Sequence, residues 1–479
     1  MRILLRNNLN PVSIAVSLAV TFALGVFCYF TRLSMILPLL FLFSGWHLAY
    51  FEKARFRVFL NLGLLLALLL YTAYALTQYN LVSHYYIPVA AVAMLAVLFY
   101  NDLQLGFVIS FVSSVMVGLV VGGDFNLMLT FFVGSLTASY CIRGARTRGD
   151  LILAGFLVGV AQVACIVLFN PFSSFIFSKY FLTNHLKPLM VNGFVSAGLV
   201  FIAPFFERFF GVLTNFSLLE LSDSNQPLLK RMVIEAPGTY HHSLVVGNLA
   251  EAAGNAVDAN GLLARVGGYY HDVGKIIKPE YFNENQIVDG NKHDNLEPTM
   301  SRLVILNHVK EGVDLARKYK LDQHIIDFIP QHHGTSLIHY FYQRALEGAQ
   351  EGEAVEEENF RYPGPKPQTR ETAIVLLADS VEGAVRALDD PTPGRINELV
   401  KKVINNKFID GQLDECDLTL KDIEKISETF GRVLSAMHHG RVKYPEKKNG
   451  NGHSHKKSAE SDAPLPPAHH PDRKKNPSA

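Results

Sequence analysis

Long apolar runs separated by short polar gaps fill the first 210 residues of the chain. Most runs reach the roughly 17 to 25 residues that an α-helix needs to cross the hydrocarbon core of a bilayer. Hydrocarbon favours helices because they satisfy their own backbone N–H and C=O groups. The fourth run is shorter and carries Pro88 near its start, so residues 1–210 are predicted to form a transmembrane domain of seven or eight helices. The runs span residues 11–30, 34–51, 58–77, 85–100, 104–122, 125–142, 151–169 and 188–206.

Basic residues concentrate in alternate gaps between these runs, and this bias predicts the orientation of the chain. Positively charged gaps tend to stay in the cytoplasm, so both chain ends are predicted to lie there, in a multi-pass protein of the inner (cell) membrane. The first run is interpreted as an uncleaved anchor rather than a signal peptide, because a second apolar run follows almost at once. The charges are Arg2 and Arg6 before the first run, Lys53, Arg55 and Arg57 after the second, and Arg143, Arg146 and Arg148 after the sixth.

After residue 206 the pattern changes to amphipathic segments punctuated by glycine and proline. Apolar residues at helical spacing predict a connecting helix at 211–229 and a soluble domain at 230–445. No long alternation of polar and apolar residues indicates strands, so the whole chain is expected to be all-α. Residues 347–367 are interpreted as a loop and the polar segment 446–479 as a disordered tail. Helices are predicted at residues 243–258, 261–270, 299–319, 324–331, 370–388, 395–408 and 420–437.

Composition and charge exclude several classes of function. Lys and Arg number 44 and Asp and Glu 43, and a net charge of +1 gives no field that would gather duplex nucleic acid. The apolar runs contain no acidic or basic residue of the kind that marks an ion or proton pathway, which disfavours a transporter. Four cysteines without a CxxC pair predict no disulfide framework.

Histidine and aspartate residues recur through the soluble domain, on or beside several predicted helices. Imidazole and carboxylate ligands together suit manganese, iron or zinc, whereas magnesium and calcium sites use mostly oxygen. Asp379 lies in the apolar string IVLLADSV, and a buried carboxylate needs a partner, which a metal ion would supply. The pattern therefore predicts a metal site. Its candidate residues are His242, the pair His271 and Asp272, His308, the pair His332 and His333, and Asp379.

Several longer strings make this pattern specific, namely APGTYHHSLVVGNLAEAA, HDVGK, HDNLEPTMS, QHHGT and RYPGPKPQTRETAIVLLADSVE. Together they resemble the HD phosphohydrolase domain of the seven-transmembrane HD receptor family, whose studied members include PgpH-type cyclic di-AMP phosphodiesterases. The resemblance covers nearly all of residues 218–445, and the membrane half is also similar to that of the family. It implies a polytopic helical membrane domain followed by an all-helical HD domain in the cytoplasm.

The resemblance also implies two metal ions with Asp272 bridging them. One ion would be held by His242, His271, Asp272 and Asp379, and the other by His308, His332, His333 and Asp272. His241 is the ambiguous neighbour of His242. Adjacent side chains on a helix point about 100 degrees apart, so both are not expected at one ion.

Asp272, His271 and Lys275 are the predicted catalytic residues. Lys275 is expected either to bind a substrate phosphate or to oppose Asp272, and the alternative is an ordinary surface lysine. Arg302 and Arg386 are weaker phosphate candidates, and His438 and His439 are expected to pack or to face water.

The function that the resemblance implies is a membrane-anchored phosphodiesterase that hydrolyses cyclic di-AMP to linear pApA with two divalent transition-metal ions, manganese or iron. The alternatives are hydrolysis of cyclic di-GMP and nucleotide binding without turnover. The first is disfavoured because the GYP loop of cyclic di-GMP enzymes is replaced by GTSLIHYFY after the tandem histidines. The expected partners are the cyclic dinucleotide and the lipid bilayer, without duplex nucleic acid, and a homo-oligomer is compatible with the sequence.

The sequence departs from the family between the first two apolar runs. Family members typically carry a large extracellular domain there, whereas only residues 31–33 separate the runs in this chain. The usual external sensor is therefore expected to be missing, and a signal would arrive through the bilayer, a partner or the membrane helices.

Overall fold

The computed structural model describes residues 26, 56–79, 82–145, 147–169, 178–286, 291–350 and 354–438. Apart from Val26, the first two apolar runs lie outside these ranges, together with the gap at 31–33. Lys53, Arg55 and Arg146 also lie outside them, as do His439 and the polar tail at 446–479. The number of membrane helices, seven or eight, therefore stays a prediction.

In the described part of the chain, five helices are long and apolar enough to cross a membrane. They follow the predicted runs closely, and a shorter apolar helix lies among them. The order is α1 (Phe56–Gln78), the short α2 (Val89–Tyr100), α3 (Leu103–Val121), α4 (Phe125–Ile142) and α5 (Arg148–Phe169). The last membrane helix occupies Lys179–Glu207 and includes α6 (Lys187–Leu199), a 3-10 turn and the start of α7 (Ala203–Phe210).

The short helix α2 corresponds to the run that Pro88 shortens, and it lies inside the bundle. Its 12 residues rise about 18 Å at 1.5 Å each, well below the roughly 30 Å of a bilayer core. All but Tyr100 are buried, against α1, α3, α4 and α6. The helix ends at Asn101, whose φ of 50° is left-handed, and Asp102 then caps α3 by accepting from two backbone N–H groups. Helix α2 is therefore a core element of the membrane part and too short to cross a bilayer by itself.

The last membrane helix is joined to the following domain by a hydrogen-bonded turn. Helix α7 ends at Gly211, whose φ of 62° favours glycine. Thr214 caps α8 (Asn215–Leu221), and the buried Glu207 accepts hydrogen bonds from the hydroxyls of Thr214 and Ser217. Residues 222–226 separate α8 from α9 (Pro227–Glu235), so the predicted connecting helix at 211–229 is two helices.

The remaining described residues form a helical domain, and the all-α prediction is confirmed. No strand occurs among the residues described, only an isolated bridge between Leu337 and Arg361. Apolar clusters hold the helices together. Residues 373–378 are all buried within one of these clusters. The helices are α10 (Pro237–Ala256), α11 (Gly261–Tyr270), α12 (Pro298–Lys318), α13 (Gln323–Ile326), α14 (Phe328–Gln331), α15 (His339–Gly348), α16 (Arg370–Arg386), α17 (Pro393–Ile409) and α18 (Leu420–Met437).

Three helices of this domain differ from the sequence prediction. Helix α10 begins at Pro237 rather than at residue 243. Proline is tolerated in the first turn of a helix because the backbone N–H groups there have no intrahelical acceptor. The predicted helix at 324–331 is broken into α13 and α14, because Pro330 has no N–H to donate to the carbonyl four residues earlier. Helix α15 was missed in the sequence because it buries only Phe341, so its apolar periodicity is weak.

Close packing between α10 and α11 brings two of the predicted ligands together. A Cβ added at Gly268 would lie 2.8 Å from the Cα of Gly247, so the two backbones touch at this point. Helix α10 also packs against α16. His242 on α10, His271 after α11 and Asp379 on α16 therefore converge.

Candidate metal centre

All seven predicted ligand residues meet in one cluster. They come from five places in the domain, and their potential ligand atoms fall into two sets, within each of which the atoms lie no more than 4.8 Å apart. These sets are the same as the two that the resemblance implied. The first set is His242, His271, Asp272 and Asp379, and the second is Asp272, His308, His332 and His333.

Asp272 lies between the two sets and offers one carboxylate oxygen to each. Its Oδ2 is 3.2 Å from Nε2 of His271 and 3.6 Å from Nε2 of His242. Its Oδ1 is 3.4 Å from Nε2 of His308 and 3.5 Å from Nε2 of His332. This arrangement is suited to a carboxylate that bridges two cations.

Asp379 also lies close to histidines of both sets. Its Oδ1 is 3.0 Å from Nε2 of His242 and 3.8 Å from Nε2 of His271. Its Oδ2 is 3.7 Å from Nδ1 of His333, whose ring stacks on Tyr362 with centroids 4.1 Å apart. Asp379 therefore also faces both sets, although it is a member of the first alone.

Three histidines are oriented by the backbone carbonyls of their own helical turn. Nδ1 of His271 donates to the carbonyl of Gly268 at 2.6 Å, Nδ1 of His308 to Ile305 at 2.5 Å and Nδ1 of His332 to Ile329 at 2.7 Å. A carbonyl only accepts, so each Nδ1 carries a proton and Nε2 is the ring nitrogen that is left to bind a metal ion once it is deprotonated. Fixing the tautomer in this way is characteristic of metal-ligating histidines.

His242 is oriented by a residue that sequence reasoning missed. Its Nδ1 lies 2.5 Å from Oε2 of Glu382, which is buried on α16 one turn after Asp379. A carboxylate behind a ligand histidine fixes the ring and raises its basicity. The spacing of Asp379 and Glu382 on a predicted helix was the available signal, since residues three apart share a face.

The segment that carries Asp272 is held tightly against α12. After α11 ends, the chain forms a 3-10 turn at Val273–Ile277. A Cβ added at Gly274 would lie 1.8 Å from the carbonyl oxygen of His308, so only glycine fits there. This contact fixes the separation of Asp272 and His308.

Several polar atoms at the centre of the cluster are buried without a hydrogen-bond partner. They are Nε2 of His271, His308 and His332, and Oδ1 of Asp272. Buried polar atoms left without a partner are costly, and native proteins almost always provide one. Since these atoms converge on the same space and belong to N and O ligand types, the residues present fit divalent metal ions.

The charges in the cluster depend on one another. Burial acts to raise the pKa of Asp272, but His271 and Lys275 hold that pKa well below its ordinary value. Burial likewise acts to raise the pKa of Asp379, which His242 and His271 hold well below its ordinary value. In return, and against the effect of burial, Asp272 and Asp379 raise the pKa of His271 to about 10. Both carboxylates therefore keep the negative charge that a cation needs.

Lys275 lies against Asp272 rather than pointing away from the acidic cluster. Its Nζ is 2.7 Å from Oδ2 of Asp272 and 2.9 Å from Oε1 of Glu284. Although burial acts to lower the pKa of this lysine, Asp272 and Glu284 raise it above the ordinary value. Of the two roles predicted for Lys275, this contact corresponds to opposing Asp272.

The weaker candidates lie outside the cluster. Arg302 faces the ring of Phe360, and the exposed Arg386 has Nη1 3.7 Å from Oε1 of Glu382. His241 is exposed on α10 while His242 is buried, and His438 is exposed. Neither arginine belongs to the two ligand sets, and the exposure of His241 favours the choice of His242.

Two families match the chain in the same order as its two parts. The family described as a 7TM receptor with intracellular HD hydrolase matches residues 14–214, and the HD domain family matches residues 239–384. Together the matches cover the membrane helices and the ligand residues from His242 to Asp379.

Curated proteins similar to the chain include two bacterial phosphodiesterases. The cyclic-di-AMP phosphodiesterase PgpH of Bacillus subtilis (strain 168) is 38% identical over 434 residues, which is 87% of this chain and 60% of that protein. PgpH of Listeria monocytogenes serotype 1/2a (strain 10403S) is 40% identical over 335 residues, which is 67% of this chain and 45% of that protein. The chain thus spans only about half the length of these relatives.

A solved structure is also similar to the C-terminal part. The HD domain of L. monocytogenes PgpH in complex with cyclic-di-AMP is 46% identical, with a TM-score of 0.44. The match covers 45% of this chain and 100% of the solved one.

Proposed function

Because the chain belongs to the family of seven-transmembrane receptors with an intracellular HD hydrolase domain, we propose that it is a metal-dependent phosphodiesterase that hydrolyses cyclic di-AMP to linear pApA. It is a multi-pass membrane protein with an HD domain. The observation that carries the proposal is the position of Asp272, which offers one oxygen to each of two ligand sets. The names of the two bacterial relatives support the choice of substrate.

The seven clustered residues would hold two divalent transition-metal ions, manganese or iron. His242, His271 and Asp379 would hold one, His308, His332 and His333 the other, and Asp272 would bridge them. Two such ions would supply Lewis acidity to the phosphodiester and a nucleophile derived from water near neutral pH. Mixed imidazole and carboxylate donors support a transition metal over magnesium or calcium.

The chain's own residues prepare this centre in three ways. Backbone carbonyls and Glu382 hold the histidine rings with Nε2 directed inward. Asp272 and Asp379 remain ionised because neighbouring cationic groups depress their pKa values. Lys275 balances the charge of Asp272 and Glu284 and fixes both carboxylates.

The centre would face the cytoplasm, from an anchor in the inner membrane. The basic residues in alternate gaps support this orientation, since positive gaps remain on the cytoplasmic side. A cytoplasmic centre would have access to a soluble nucleotide second messenger.

Product analysis tests the proposal. Detergent-solubilised full chain loaded with Mn²⁺ is incubated separately with cyclic di-AMP and cyclic di-GMP, and the products are separated by chromatography. We expect linear pApA from the first nucleotide, a much slower reaction with the second, and no product from Asp272→Ala, because both ligand sets lose a member. Faster hydrolysis of cyclic di-GMP would refute the choice of substrate. Tight binding of either nucleotide without a linear product would instead indicate a receptor without turnover.

A further inference from the structure

A half-buried lysine that contributes to neither ligand set lies near the candidate metal centre. Lys407 on α17 donates from Nζ to Oγ of Ser336 at 2.7 Å. Within the part of the chain that the structure describes, no carboxylate lies within 4 Å of this ammonium group. Burial lowers the pKa of Lys407. Asp379 and Asp410 act to raise that pKa, but neither carboxylate forms an ion pair with the ammonium group, whose hydrogen-bond partner is a hydroxyl. An anion in contact with the ammonium group would compensate its desolvation more fully.

Lys407 lines a cavity of about 550 Å³ together with Ser336, Ser380, Arg361 and Asp410. Its volume is within the range of small-molecule sites. The lining of the cavity includes hydroxyl and ammonium donors. Such groups commonly bind phosphate oxygens.

The other charged groups of the cavity are already paired with each other. Nη2 of Arg361 lies 2.9 Å from Oδ1 of Asp410 and 2.7 Å from Oε1 of Glu357. Gln412 also donates to Asp410 at 2.9 Å. The Arg361 and Asp410 charges therefore offset one another, and Lys407 is left as the cation available to a ligand.

Two residues that line the cavity lie next to candidate ligands in the chain, and Lys407 is close enough to Asp379 for that carboxylate to raise its pKa. Ser380 directly follows Asp379 on α16. The N–H of Ser336 donates to the carbonyl of His333 at 3.0 Å, so this hydroxyl is one turn from a candidate ligand. A substrate with two phosphate groups could place one at the centre and the other in the cavity.

We propose that the Lys407 cavity binds the second, uncleaved phosphodiester of a cyclic dinucleotide while the first lies at the metal centre. This inference rests on the proposed function and deepens it. Ser336 orients the ammonium group, and Lys407 supplies the charge that matches the phosphodiester. Lys407 acts in binding and orientation, so its loss affects substrates with two phosphates more than substrates with one.

The test compares a substrate that has two phosphodiesters with one that has a single phosphodiester. Mn²⁺-loaded full chain in detergent is assayed with cyclic di-AMP and with bis(4-nitrophenyl) phosphate, and equilibrium binding of cyclic di-AMP is measured in parallel. The variants are Lys407→Met, which keeps the apolar stem, Lys407→Arg, which keeps the charge, and Lys401→Met, an exposed control on the same helix. Thermal unfolding verifies that each variant is folded, and Ser336→Ala is the second probe should Lys407→Met not fold.

A charge-assisted hydrogen bond contributes enough to change affinity by roughly 10-fold to 100-fold. We expect Lys407→Met to raise the KM for cyclic di-AMP and weaken its binding by about that factor, with kcat and the rate on the single diester within about twofold. Lys407→Arg should restore most of the affinity, Lys401→Met should match the parent, and Ser336→Ala should give a smaller increase in KM.

An unchanged KM and unchanged binding in Lys407→Met would overturn the inference while leaving the proposed function intact. Equal loss on both substrates would also overturn it, because the lysine would then act on the centre itself. A parent chain that binds cyclic di-AMP through Lys407 but gives no linear product would refute the proposed function alone. A parent chain that neither binds nor cleaves cyclic di-AMP would refute both.

Discussion

Oε2 of Glu382 lies 2.5 Å from Nδ1 of His242, although the two residues are 140 positions apart in the chain. The contact joins α10 to α16 inside the buried core of the domain. It leaves Nε2 of His242 facing Asp379 and Asp272. Glu382 would therefore position His242 in a carboxylate–histidine–metal arrangement if the proposed ion binds there.

Replacing this carboxylate should weaken metal binding without removing a ligand. For Glu382→Gln we expect a loss of Mn²⁺ affinity of roughly 10-fold to 100-fold, the usual cost of losing such a partner. Competition with a fluorescent chelator measures the dissociation constant. The exposed Glu398→Gln on α17 is the matched control and should bind as the parent does. Equal affinities in all three proteins would show that Glu382 does not orient a ligand.

Lys275 should matter most when no metal is present. Lys275→Met removes the cation that lies against the carboxylates of Glu284 and Asp272 and leaves Asp272 with His271 as its cationic neighbour, and breaking a buried ion pair costs up to about 3 to 5 kcal/mol. We expect a lower unfolding temperature in chelator, with a large part recovered on adding Mn²⁺. Differential scanning fluorimetry with and without metal measures both, and the exposed Lys278→Met serves as the control. A variant as stable as the parent in chelator would contradict the assigned charge balance.

Metal affinity should rise with pH. Asp272 and Asp379 raise the pKa of His271 to about 10 in the absence of metal, so this ring is protonated at pH 7 and must lose its proton on binding. Below that pKa the metal ion must displace the proton into solvent. Each proton displaced makes the affinity for the metal change by about tenfold per pH unit. Dissociation constants for Mn²⁺ measured from pH 6.5 to 8.5 should therefore fall with a slope near one or steeper. An affinity that is constant over this range would mean that His271 is already neutral.

A tyrosine hydroxyl links α8, the helix after the membrane part, to the segment that carries the candidate metal centre. Tyr270 is fully buried, its hydroxyl donates to the carbonyl of Leu221 at the end of α8 at 2.8 Å, and His271 follows it directly. Tyr270→Phe leaves that partly buried carbonyl without its donor, which costs at most about 1 to 3 kcal/mol. We expect a lower unfolding temperature than in the exposed control Tyr340→Phe. Equal unfolding temperatures in the two variants would indicate that α8 is not held through Tyr270.

The sequence could predict the apolar helices and the ligand residues because both depend on local signals. Membrane helices follow from run length, and the His and Asp residues follow from residue type and from strings that resemble a known family. Run length alone did not decide whether the short run at 85–100, which forms α2, crosses the membrane. In the structure Pro88 precedes this helix and Asn101 follows its last residue. These two residues fix its length at 12, which run counting alone overestimates.

Contacts between distant helices could not be predicted in the same way. Glu382 is adjacent to Asp379 on a helical face, but its partner on α10 is determined by how the two helices pack. The direction of Lys275 depends on the 3-10 turn at Val273–Ile277, which follows the predicted helix and which no sequence pattern indicated. The Lys407 cavity likewise arises where α17 meets the segment after His333, and no motif marks it.

The central claim is that Asp272 bridges two metal ions, and metal stoichiometry tests it most directly. Full chain is loaded with Mn²⁺, freed of unbound metal by gel filtration and analysed by inductively coupled plasma mass spectrometry alongside Asp272→Ala. The account predicts two ions per chain in the parent and loss of both in the variant at the same free Mn²⁺ concentration. One ion or none per parent chain, or two ions retained by Asp272→Ala, would contradict it.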